Sequence, residues 1–139
     1  MRIKTTAIIT TICLSLLSLT LAFSEPASTG DDKIWEVLAT KDQTFVVKGE
    51  KKPVITVKAG QTVHLRITAE KATEMAKDGS VHSFTIKQLA DQGWNIRLKK
   101  GTKDYTLTAP SKPGEYVIEC AVKCGPGHAD QRMKLVVIP

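Results

Sequence analysis

Residues 62–68 alternate strictly: Val63, Leu65 and Ile67 stand apolar between Thr62, His64, Arg66 and Thr68. A period of two belongs to a strand with one face in a core and the other in water. Short β-prone runs recur at 34–39, 44–48, 53–58, 82–86, 104–109, 115–120 and 133–138. Turn signals separate them, among them Ala59-Gly60-Gln61, Gly93-Trp94, Lys99-Lys100-Gly101 and Ser111-Lys112-Pro113-Gly114. No long amphipathic helical pattern interrupts the series, and the polar stretch 70–80 reads as a loop or a turn of helix. About eight short strands at close spacing predict a single all-β domain, a Greek-key sandwich or flattened barrel. The runs 53–58 and 62–69 flank a glycine turn and are expected to pair as a hairpin. His64 falls on the polar face beside Arg66 and reads as an exposed strand histidine, not a ligand.

The start of the 139-residue chain follows another pattern. Arg2 and Lys4 precede an apolar, Thr/Ser-rich run from Thr5 to Leu21, and Ala22-Phe23-Ser24 offers small residues for cleavage before Glu25. Residues 1–24 therefore read as a secretory signal, and the protein as periplasmic or otherwise exported. Left uncleaved, the run is nearly long enough to anchor the chain in a membrane. Cys13 lies inside this run, behind Ile12, so it leaves with the signal and does not serve as a lipoprotein cysteine. Residues 25–33 are small and polar, a short linker, which leaves 34–139 as the folded domain. Loss of Arg2 and Lys4 takes the formal charge from +6 to +4, 18 basic against 14 acidic residues. The lysines are scattered with little aromatic interleaving, so no nucleic-acid surface is indicated. A mildly basic face suits steering an acidic protein partner.

Two cysteines remain after cleavage, Cys120 and Cys124, in the stretch Cys120-Ala121-Val122-Lys123-Cys124-Gly125-Pro126-Gly127-His128. Two thiols and an imidazole thus follow one another at four-residue intervals, in a loop that Gly125, Pro126 and Gly127 turn tightly. In an oxidising compartment a disulfide is the plain alternative, but over so short a loop it removes little chain entropy. Thiolates combined with imidazole select copper or zinc over hard cations. A further imidazole, His82, opens the run Val81-His82-Ser83-Phe84-Thr85-Ile86 and shares a face with Phe84 and Ile86. It is placed on the core side at the start of its strand. A structural zinc site of two Cys and two His is chemically possible. These ligands, however, sit on a loop at the end of a sandwich and not in a zinc-stapled mini-fold. Haem attachment in the C-x-x-C-H form is excluded by the spacing.

With Val-His-Ser-Phe upstream and C-x-x-x-C-G-x-G-H before a terminal strand, the sequence resembles the exported copper domain of cytochrome c oxidase subunit II, over roughly residues 52–138. That domain is a cupredoxin holding a binuclear copper centre, called CuA, whereas ordinary blue-copper proteins carry one cysteine in this loop. The resemblance implies a cupredoxin-like fold in which Cys120 and Cys124 bridge two coppers. It further implies that His82 and His128 each cap one ion, and that the main-chain carbonyl of Val122 is a weak ligand. The family pattern places a methionine three residues after the loop histidine, where this chain has Gln131. Met133, five residues after His128, matches instead the spacing of mononuclear centres with two His, one Cys and a weak axial Met. Strand alternation aims Met133 inward, with Leu135 and Val137, if Lys134 faces solvent; Gln131 is expected to stay in the solvated loop. Two arrangements follow. One is binuclear: His82, Cys120, Cys124 and His128, with Gln131 or Met133 as the weak axial group. The other is mononuclear: His82, Cys124, His128 and Met133.

The cofactor implied is one or two copper ions, and the role an exported electron carrier. Its partner would be a redox protein such as a cytochrome or a terminal oxidase or reductase. The alternative with the same ligands is a copper chaperone or storage protein serving copper-site assembly. No nucleophile–base set or open substrate position points to an enzyme. Trp94 reads as a half-buried core indole in preference to a docking residue.

Overall fold

A computed structural model describes residues 33–139; the expected signal segment 1–24 and the linker before Lys33 lie outside the described residues. Nine strands form among the described residues: β1 (Ile34–Ala39), β2 (Phe45–Val47), β3 (Val54–Lys58), β4 (Thr62–Ala69), β5 (His82–Thr85), β6 (Asn95–Leu98), β7 (Gly101–Thr108), β8 (Gly114–Glu119) and β9 (Arg132–Ile138). They make a four-stranded sheet in the order β2-β1-β4-β7 and a five-stranded sheet in the order β3-β9-β8-β5-β6. The all-β sandwich expected from the alternation is the fold observed.

The core lies between the sheets and is built from the inward set of each strand. Val63, Leu65 and Ile67 of β4 are buried, as are Val37 of β1, Ile118 of β8, and Leu135 and Val137 of β9. Phe84 stands at the centre: Phe45 meets it edge-on at 5.8 Å, and Trp94 stacks on it at 6.4 Å. Trp94 is fully buried, beyond the half-buried position expected of it, and its Nε1–H donates to the Thr108 carbonyl at 3.0 Å. That bond ties a residue next to β6 in one sheet to β7 in the other, and it satisfies the indole's only donor.

Three local expectations are corrected. The 53–58 and 62–69 runs do not pair as a hairpin. β3 runs parallel to β9, from Val54↔Lys134 to Lys58↔Ile138, whereas β4 lies between β1 and β7 in the opposite sheet. Ile55 and Val57 thereby line one inner wall while Val63, Leu65 and Ile67 line the other, and Gly60, at φ 71°, turns the chain across. The segment 95–98 is a strand, β6, with Ile96 and Leu98 buried; the turn signals on either side of it hid a two-residue alternation. β7 begins at Gly101, not at 104, because Gly101, Thr102 and Lys103 pair with Ala69, Thr68 and Ile67. As a polar edge strand it shows little alternation of its own. A short 3₁₀ segment at Lys87–Gln92 links β5 to β6 and ends at Gly93, which takes the left-handed conformation at φ 91°.

β5 is buried on both faces. Its outward residue Ser83 is covered by the chain after β8, where Ala121 N–H donates to Ser83 Oγ at 2.6 Å. The start of β5, the end of β8 and the start of β9 therefore meet at one pole of the sandwich. The β1–β2 loop and the 70–80 loop close over it.

Candidate metal centre

β8 ends at Glu119, so Cys120 is the first residue of the connection, opposite Gln131 just before β9. Cys120 N–H donates to the Gln131 carbonyl at 3.1 Å, extending the β8–β9 ladder by one step into the loop. Ser83 N–H points at Cys120 Sγ at 3.4 Å, and the thiol donates to the Val122 carbonyl at 3.1 Å. That carbonyl, singled out by the resemblance, is thus turned toward the sulfur. Cys124 lies one loop turn on, where its carbonyl accepts from Glu74 N–H at 3.0 Å.

Both cysteines are free and buried, with their Sγ atoms 3.6 Å apart. His82 joins them: its ring nitrogen and the two sulfurs all lie within 4.8 Å of one another, the one such group among the described residues. His128 opens the 3₁₀ turn His128–Asp130, with Nδ1 3.9 Å from Cys124 Sγ, and is only partly buried. The structure thus brings His82, Cys120 and Cys124 tightly together, with His128 beside Cys124. Met133 points inward as expected: it occupies a core position in β9 opposite Ile118.

Gln131 corrects the expectation made for it. It is completely buried, not solvated: Oε1 lies 3.1 Å from His82 Nδ1 and accepts from the Cys124 thiol at 3.2 Å. The strand register explains this, since the position opposite Cys120 points into the same pole. The expectation rested on amide polarity alone.

The imidazole of His82 is held between two acceptors, Gln131 Oε1 at Nδ1 and the Glu70 carbonyl at Nε2, 3.1 Å away. Burial keeps this ring below the usual imidazole range, and its hydrogen bonds to Gln131 and Glu70 only partly offset that. A neutral imidazole has one N–H. Donating it from Nε2 to Glu70 leaves the Nδ1 lone pair on the side of Gln131 Oε1, and a backbone carbonyl is a common partner by which a metal-ligating histidine is oriented. Nδ1, Gln131 Oε1 and two sulfurs then converge with few protons among them, and Gln131 Nε2 is buried without a hydrogen-bond partner among the described residues. A soft cation at the centre of this donor set satisfies the crowded lone pairs. The residues present fit copper.

The same enclosure acts on the thiols. Burial, and after it the charge and hydrogen bond of Cys120, push the Cys124 thiol up to about 12 from an ordinary 9.0. A raised thiol favours the folded state below the unfolded value and withdraws that support as pH climbs toward the folded one. The metal-free protein is therefore expected to lose stability between pH 9 and 12. Urea midpoints measured across that interval test it: Cys124→Ala should flatten the decline, and an equal slope in both proteins would refute the assignment.

Sequence reasoning missed three contributors. Glu70 acts through its backbone carbonyl, to which residue type is blind. Ser83 lies on the strand face opposite His82 and reaches Cys120 Sγ through its backbone N–H, to which residue type is also blind. Gln43 sits in a polar turn 84 residues before Gly127, the residue whose N–H its Oε1 accepts at 2.8 Å.

No family model matches the chain, and no curated protein matches it. Solved structures match its fold. A haem-copper terminal oxidase dimer aligns with a TM-score of 0.56 at 21% identity, over 80% of this chain and 68% of that one. Dithionite-reduced auracyanin from the photosynthetic bacterium Roseiflexus castenholzii aligns at 0.50 and 18% identity, over 76% of this chain and 96% of its own. A rusticyanin variant aligns at 0.50 and 19% identity, covering 76% of each chain. The two sheets, their strand order and these neighbours make the chain a β-sandwich of cupredoxin fold.

Proposed function

We propose that this protein is an exported copper-binding electron-transfer domain whose ligands are His82, Cys120, Cys124 and His128. The observation that carries the reading is the pair of free, buried thiols 3.6 Å apart, facing the ring of His82. Bound copper would supply a one-electron couple, and the Cys120 and Cys124 thiolates with the His82 and His128 imidazoles would hold it. The chain's own residues supply the rigidity. Glu70 holds the His82 ring by its carbonyl, Ser83 directs an N–H at Cys120, and Glu74 N–H fixes the backbone of Cys124. Gln131, not Met133, would be the additional weak donor, because its amide already reaches both His82 and Cys124. His128, the one partly exposed member of the four and flanked by exposed Pro126 and Ala129, is the side chain that would face a redox partner such as a cytochrome or a terminal oxidase.

The alternative, a copper chaperone, needs ligands that open and release metal. Full burial of His82 and Cys124 favours the carrier. Two coppers per chain are expected by metal analysis, and electron paramagnetic resonance should show hyperfine lines from an unpaired electron shared by two nuclei. One copper with a single-nucleus pattern would replace the shared-thiolate reading with the mononuclear arrangement. No copper at all would end the proposal.

A further inference from the structure

Gln43 is the one non-glycine residue with a positive φ, 56°, among the described residues. Chains adopt that conformation rarely with a Cβ, and hold it where the surroundings over-determine it. Here the surroundings are the metal loop. Gln43 is 7% exposed, its Oε1 accepts from Gly127 N–H at 2.8 Å, and its Nε2 donates to the Lys41 carbonyl at 2.6 Å. A Cβ on Gly127 would lie 2.9 Å from Gln43 Oε1, and one on Gly125 3.1 Å from the same carboxamide. Both glycines are thus fitted to this side chain.

The turn that carries Gln43 is itself fixed. Thr40 N–H donates to the Thr44 carbonyl at 2.9 Å, and Gln43 N–H to the Thr40 carbonyl at 3.1 Å. Lys41 N–H reaches Glu70 Oε2 at 2.8 Å, and the carbonyl of that same Glu70 holds His82 Nε2. One turn, far from both histidines in sequence, therefore braces the limb carrying His82 and the limb carrying His128.

We propose that Gln43 is a positioning residue that latches residues 124–128 in place and slows the exchange of copper from the centre. The copper half of this inference rests on the proposed function; the latch half does not. The test uses Gln43→Ala and Gln43→Gly, the second because glycine accepts positive φ freely and keeps the turn foldable. Amide hydrogen exchange of the metal-free protein reads the latch directly: Gly127 should exchange about tenfold faster in both variants, with core amides of β4 and β9 unchanged in Gln43→Gly. Release of copper(I) from loaded protein to bicinchoninate should also quicken by about tenfold, the same factor if release runs through this local opening. Unchanged Gly127 exchange in Gln43→Gly overturns the latch. Faster exchange with unchanged copper release overturns its role in retention. A wild-type protein that binds no copper overturns the functional reading, while the exchange measurement still decides the latch.

Discussion

Cys124→Ser is expected to abolish the visible thiolate-to-copper absorption of the loaded protein and to strip most of its copper. Cys124 Sγ stands between Cys120 Sγ at 3.6 Å, Gln131 Oε1 at 3.2 Å and His128 Nδ1 at 3.9 Å, so its loss empties the middle of the donor set. A serine hydroxyl does not ionise near neutral pH and is a hard donor, poorly matched to copper. Absorption spectra with metal analysis check this, and full colour with full copper would show that the centre lies elsewhere. Cys120→Ser then separates the two arrangements. With shared thiolates, it should halve the copper and collapse the paired-nucleus resonance. With Cys124 as sole thiolate, Cys120 is a spectator and colour survives.

Gln131→Leu is expected to change both forms of the protein. Without metal, it leaves the buried Cys124 thiol short of an acceptor, at a cost of about 1–3 kcal/mol in urea unfolding. With copper, it should raise the reduction potential, because an amide oxygen is a harder donor and favours the oxidised ion. Met133→Leu nearly conserves volume at a core position and should cost under about 1.5 kcal/mol, with a much smaller change in potential. Voltammetry on the two variants compares them. A shift with Met133→Leu and none with Gln131→Leu would reverse the axial assignment.

The contrast between these two residues shows what the sequence could convey. Met133 was placed correctly because alternation along a terminal strand carries phase: Lys134 out puts Met133 in. Gln131 was misplaced because it lies before β9, where the phase rule stops and polarity is a poor guide to burial. The sandwich was legible from short alternating runs, but the pairing of β3 with β9 was not. Side-chain period reports which face is buried and says nothing of which strand lies alongside. At the candidate metal centre, the Cys and His spacing within 120–128 was visible because those donors are close in sequence and rare in type. The supports supplied by the Glu70 carbonyl and Gln43 were not, since one works through its backbone and the other is an ordinary amide in an ordinary turn.

The parallel seating of β9 beside β3 bears on the order in which the molecule is assembled. Gln131, whose amide accepts from the Cys124 thiol, is delivered just ahead of β9, and that strand has to slot between β8 and a neighbour some eighty positions back along the chain. Pairings of such long loop span are slow to nucleate, because chain-closure entropy is spent before contacts reward it. During synthesis, Cys120 and Cys124 therefore emerge ahead of the segment that encloses them. Until β9 docks they are open to solvent, to metal and to oxidants, and its docking ends that window.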